Sequence, residues 1–99
     1  MKVKIQSVHF DADQKLETFI HSKLDKLISR NQNIVQAEVT LKLDKAQTMD
    51  NKVAEIKLEV PGNNLFAKKQ SKSFEEATDI ALDALNRQLK KYKEKKTGK

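Results

Sequence analysis

The spacing of hydrophobic residues switches between two periods along the chain, and the switches predict its elements. From Lys2 to Val8, Val3 and Ile5 point one way and Lys2, Lys4 and Gln6 the other, which predicts a strand. Leu16, Phe19, Ile20, Leu24, Leu27 and Ile28 then recur every three or four residues, one buried stripe of a helix over about 13–30. Asp11 or Asp13 can cap that helix, and Gln14 stands three residues after Asp11, where a capping box would place it. Period two returns at 34–44, with Val35, Ala37, Val39, Leu41 and Leu43 on one side, and at 52–60, with Ala54, Ile56, Leu58 and Val60 inside. Such alternation predicts a sheet packed on one face and wet on the other. Pro61-Gly62-Asn63-Asn64 signals a turn, and a fourth strand follows at about 65–70. The 45–51 segment is a longer polar loop. Ser73 with Glu76 three residues on opens a second helix, whose stripe runs through Phe74, Ala77, Ala81, Leu85 and Tyr92, with Ala84 and Leu89 at its edges.

The predicted order is β-α-β-β-β-α, an α+β fold. The first two strands, joined through a helix, can be parallel neighbours, and the short turns make the later pairs antiparallel. Both helices then cover one face of a four-stranded mixed sheet, an arrangement like that of double-stranded-RNA-binding domains. The 99 residues suffice for one domain, expected over 1–96 with a frayed basic tail at 97–99. With 37% hydrophobic and 5% aromatic residues the core must be thin and aliphatic. The absence of cysteine excludes disulfides, thiol nucleophiles and thiolate metal sites. No apolar run approaches the roughly 20 residues of a membrane-spanning helix. The opening MKVKIQSVHF alternates, where a secretory leader would run apolar.

Charge changes the picture most. Residues 1–86 carry 13 basic and 13 acidic side chains, and residues 87–99 carry seven basic ones against Glu94, so the net +6 sits at the C-terminal end. Lysines near a helix C-terminus complement its dipole, but that explains one or two of them. A polyanion partner accounts for the rest. Arg87, Lys90, Lys91, Lys93, Lys95 and Lys96 are the first candidates. Lys23, Lys26 and Arg30 on the first helix can extend the same field, with Lys42, Lys45, Lys68, Lys69 and Lys72 scattered elsewhere. Past residue 89 the lysines point all around the axis, so the last turns must project beyond the sheet.

Other chemistry finds no support. His9 and His21 are isolated from ligand-type partners, so no metal site is expected. Gly62 and Gly98 cannot build a phosphate loop. Asp79 and Asp83 share a helix face, where Asp83 and Arg87 form a favourable four-residue pair. No catalytic constellation or cofactor is expected. Base stacking on the sheet is not the main mode, because strands 2 and 3 lack aromatics and most of Phe10, Phe19, Phe66, Phe74 and Tyr92 look like core. A double-stranded-RNA-binding domain would place phosphate near the start of its last helix. Lys68, Lys69 and Lys72 suit that, but Glu75 and Glu76 would repel it.

Several stretches carry a resemblance. They are DIALDALNRQLKKYK at 79–93, with Leu85, Arg87, Gln88, Leu89, Lys91 and Lys93 in characteristic spacing, LETFIHSKLDKL at 16–27 and VTLKLDK at 39–45. In order and spacing, over about 2–96, the chain resembles the bacterial ribosome hibernation-promoting factors, also called ribosome-associated inhibitors or sigma-54 modulation proteins. It departs in having Glu75 where some members have an aromatic, and in a more basic 68–72. The resemblance implies a cytoplasmic protein, monomeric off the ribosome, that binds the small ribosomal subunit near the decoding centre. It would occlude the path of messenger and transfer RNA under stress or in stationary phase, with no small-molecule substrate and no membrane partner. The chain looks like the short form, lacking the domain with which long forms pair ribosomes. Two alternatives stand beside this reading, a general structured-RNA-binding domain and a protein-interaction module acting on a transcription factor.

Overall fold

A computed structural model describes residues 2–8, 11–44 and 51–96, with the side chains of Lys2 and of residues 94–96 outside the description. His9, Phe10, Lys45, most of the predicted 45–51 loop and the 97–99 tail therefore lie outside the described residues. The elements are β1 (Lys2–Val8), α1 (Gln14–Arg30), β2 (Gln36–Leu43), β3 (Lys52–Val60), β4 (Asn63–Ser71) and α2 (Phe74–Lys96). They form one sheet in the order β1-β2-β3-β4. β1 runs parallel to β2, while β2–β3 and β3–β4 are antiparallel.

The strand pattern gives the sheet two unlike faces. Ala37, Val39, Leu41, Ala54, Ile56, Leu58, Leu65 and Ala67 point to one side and are buried under the helices. α1 contributes Leu16, Ile20, Leu24, Leu27 and Ile28 to the same core, and α2 contributes Phe74, Ala77, Ala81, Leu82, Leu85 and Leu89. Fully burying one such leucine stabilises by about 1.5–3 kcal/mol, so this single layer holds the domain together. The small Ala77 and Ala81 are completely buried, which lets α2 lie close to β3 and β4.

The ends of each helix have local causes. Asp13 is the α1 cap, its Oδ1 accepting from the Leu16 amide at 2.8 Å. A capping box built on Asp11 and Gln14 is thereby ruled out, since Gln14 is already the first helical residue. Buried Asn31 closes the other end, its amide and its side chain donating to the carbonyls of Ile28 and Leu27. Ser73 caps α2, its Oγ accepting from the Glu76 amide at 3.1 Å. The Glu76 carboxylate bonds the Ser71 hydroxyl instead of reaching back to the cap.

Two large hydrophobic residues of the strand regions are exposed. Val35 is 54% exposed, and Ile34 takes the core position before β2. The Val35 amide donates to the Glu59 carbonyl outside the regular ladder, so the backbone shifts phase just before the strand begins. Phe66 is 51% exposed. It alternates with buried Leu65 and Ala67, which turns it to the open face. β4 also starts two residues earlier than predicted, because Pro61 and Gly62 alone make the turn and Val60 pairs Asn63. Gly62 takes φ +79, a region other residues enter at a cost.

One core atom is unsatisfied among the described residues. Thr78 is fully buried in α2 and its hydroxyl has no hydrogen-bond partner. Thr78→Val keeps the shape and removes the desolvated hydroxyl, whose cost is about 1–3 kcal/mol. The variant is expected to melt about 4–8 °C higher for each kcal/mol gained, as read by circular dichroism; an unchanged or lower midpoint contradicts this account.

Candidate nucleic-acid interface

The sheet's two faces sort the candidate cations into separate groups. On the open face the strand registers place Gln6, Thr40, Glu55 and Lys68 in one row and Lys4, Glu38, Lys57 and Phe66 in the next. Glu55 sits between two candidates, 2.7 Å from Lys42 Nζ and 3.9 Å from Lys68 Nζ. Glu55 is only 19% exposed, so this shared carboxylate is shielded from solvent and offsets one of the two charges. The open face thus alternates in sign and is not a cationic surface. Lys69, one residue on, projects to the helix side and is exposed near the start of α2. Glu75 and Glu76 are exposed there too, which disfavours phosphate at that end.

The helix side has a different character. α1 and α2 pack against each other and run the same way, so their C-terminal ends lie together. A groove of about 250 Å³ separates them, with Leu27 and Leu82 among its lining residues. Lys23, Lys26 and Arg30 line it from α1, and Asp79, Asp83 and Asn86 from α2. The helix period explains both sets: three- and four-residue steps keep each on one side of its axis.

Ion pairs decide which of these charges are available. Lys23 bridges to Asp79 at 3.3 Å and also lies 5.4 Å from the Phe19 ring centroid, so its charge is partly engaged. Arg87 pairs with Asp83 at 2.8 Å, as the sequence spacing indicates, but both are exposed, at 76% and 61%. An exposed four-residue pair is worth only about 0.3–0.5 kcal/mol. A phosphate accepting both arms of the guanidinium competes with it readily. Lys26, Lys90 and Lys91 are exposed and form no ion pair among the described residues. Lys93 donates to the Arg30 carbonyl at 3.4 Å, joining the two helix ends. Lys95 and Lys96 continue α2, with side chains outside the description.

The structure therefore sets Lys26 and Arg30 in one groove, ties Lys93 to the Arg30 carbonyl, and carries Arg87, Lys90 and Lys91 on the same end of α2, with Lys91 on its β4 flank beside Asn63 and Tyr92. Lys42, Lys68 and Lys69 lie on other elements. The Lys23–Asp79 bridge and the sharing of Glu55 have no local sequence signal, because their partners come from other elements. Chemically, the site offers exposed cations carried on two helices. Among the described residues no three His, Asp or Glu side chains converge as metal ligands, and no helix is long and apolar enough to cross a membrane.

These features define a small α+β domain with a cationic two-helix edge suited to a polyanion. The sequence model of the family described as Sigma 54 modulation protein / S30EA ribosomal protein matches residues 3–97, and the chain belongs to that family. It is 33% identical over 95 residues to the ribosome hibernation promoting factor of Pseudomonas putida, spanning 96% of this chain and 89% of that protein. It is 30% identical over 101 residues to the ribosome hibernation promotion factor of Picosynechococcus sp., spanning 100% of this chain and 52% of that protein. A solved ribosomal subunit interface protein from Coxiella burnetii has the same fold, with a TM-score of 0.84 at 20% identity over 94% of this chain and 98% of that one. The Thermus thermophilus Protein Y N-terminal domain gives 0.78 at 22% identity, over 93% and 99%.

Because Asp83 is the one carboxylate paired with Arg87 among the described residues, Asp83→Asn is expected to free that guanidinium. Elution from a heparin column should move to higher salt, while the unfolding free energy changes by less than about 0.5 kcal/mol. Elution at or below the wild-type salt concentration contradicts the assignment.

Proposed function

We propose that this protein is a ribosome hibernation factor that binds the small ribosomal subunit and inhibits translation by steric occlusion. The observation that carries the reading is the cluster of exposed cations where the ends of α1 and α2 meet, in a chain of a ribosome-associated family. The site of action is the decoding region, where the protein occupies the path of messenger and transfer RNA. The role belongs to the cytoplasm, under stress or in stationary phase. The protein acts as a monomer and carries out no chemical reaction.

The mechanism is electrostatic docking followed by blockade. Arg87 forks onto a phosphate, as lysine cannot. Lys90, Lys91, Lys93, Lys95 and Lys96 act as point charges. Lys26 and Arg30 reach ribosomal RNA from α1, with Lys23 behind them. Lys42, Lys45, Lys68 and Lys69 are secondary contacts. Glu55 blunts two of these, and Lys69 projects to the other side of β4. Displaced counterions make such binding fall steeply with salt when about five phosphates are neutralised. A general duplex-RNA-binding mode is disfavoured by the exposed Glu75 and Glu76 at the opposite end of α2.

Replacing Arg87, Lys90, Lys91 and Lys93 by alanine is expected to abolish co-sedimentation with small subunits and relieve inhibition of a cell-free translation reaction. Wild-type levels of pelleting by the variant sink the assigned surface. Equal affinity of the unaltered protein for naked duplex RNA and for intact subunits would favour the general RNA-binding reading instead.

A further inference from the structure

The cationic end of α2 outruns its hydrophobic anchor. Among the described residues, Leu85 and Leu89 are the last deeply buried ones of the helix, and Lys90, Lys91 and Lys93 lie beyond them. Helix ends fray when their backbone groups lack partners, and like charges three and four residues apart, as in Arg87, Lys90 and Lys91, add repulsion. Three side chains of α2 counter this. Gln88 Nε2 donates to the Phe66 carbonyl on edge strand β4 at 2.9 Å. The Tyr92 hydroxyl donates to the Pro61 carbonyl in the β3–β4 turn at 2.8 Å. Lys93 Nζ donates to the Arg30 carbonyl in the last turn of α1, where a cation also suits the helix dipole.

The three ties lie on two flanks of one helix. At about 100° per residue, Gln88 and Tyr92 leave α2 on one side and Lys93 on the other. All three acceptors are backbone carbonyls of other elements, 22, 31 and 63 residues away along the chain. All three donors are at least partly exposed, so core burial alone does not account for them. Together they tie the end of α2 to β4, to the β3–β4 turn and to the end of α1.

We propose that Gln88 and Tyr92, assisted by Lys93, are positioning residues that pre-organise the cationic end of α2 for binding. Gln88 and Tyr92 touch no phosphate. They lower the entropy lost when the charge array is immobilised on RNA and keep both helix ends engaged together. This role rests on the ribosome-binding reading above. It also gives Lys93 a second task, as a strut between helices.

The test is the double variant Gln88→Met, Tyr92→Phe, which keeps side-chain length, ring packing and helix propensity but removes both donors. The chain contains no cysteine, so Ser22→Cys and Glu94→Cys place spin labels on α1 and on the end of α2 alone. The expected result is a broader label-to-label distance distribution, with the melting temperature within a few degrees of the parent. Affinity for small subunits should fall about three- to tenfold, and the slope of log affinity against log salt should become shallower by about one. Tyr92→Phe alone should give an intermediate effect. An unchanged distance distribution overturns the pinning, and a broadened one with unchanged affinity and slope overturns its link to binding. If the parent protein itself shows no salt-dependent binding to subunits, the ribosome reading fails, and the distance distribution still decides the pinning.

Discussion

The burial of one sheet face under two helices is the constraint on which the rest of this molecule depends. The inner face is aliphatic from β2 to β4, and it becomes dry only when Leu24 and Ile28 of α1 and Leu85 of α2 lie against it. Seating α2 there fixes both its direction and its rotation. Its charged residues must then face α1's edge, the β4 edge or solvent. A 23-residue helix is about 35 Å long, so its last turns continue past the deeply buried Leu89. The position of the cations is thus a by-product of core packing: the same apolar stripe that stabilises the fold aims the charged end.

Net charge by itself says little about where a polyanion binds. On the open face, Glu55 couples to Lys42 and Lys68, and Glu38 and Glu59 interleave with Lys4 and Lys57. Near the helix ends the balance reverses. Asp83 is exposed and holds Arg87 only weakly, while Lys26, Lys90 and Lys91 form no ion pair among the described residues. Burial makes the difference, since a shielded carboxylate neutralises its partners more effectively than one in water.

Much of the fold is legible in the residues alone, because the two periodicities are clean. β1, β3 and α1 begin and end within a residue of where their patterns place them. The differences have separate causes. Val35 continues the alternation in sequence but precedes the β2 ladder, where the backbone changes phase to meet Glu59. Among the described residues, Phe66 is the aromatic that does not join the core, because its parity with Lys68 turns it outward. The capping box on Asp11 fails because Asp13, two residues nearer, already caps the helix. The site divides in the same way: the C-terminal cluster and the Asp83–Arg87 pair follow from spacing, whereas the separation of Lys42, Lys68 and Lys69 from that cluster does not.

The sequence on its own determined the element order, the two-faced sheet, the excess of cations at one end and the family likeness, because each depends on residues within a few positions of one another. Only the tertiary structure decided which cations are paired and which elements they lie beside. The bridge from Lys23 to Asp79, the shared use of Glu55, and the ties of Gln88, Tyr92 and Lys93 to distant carbonyls all join separate elements. A backbone carbonyl is present at every residue, so nothing in the side-chain pattern marks the one that will accept; that choice is made when packing brings the elements together.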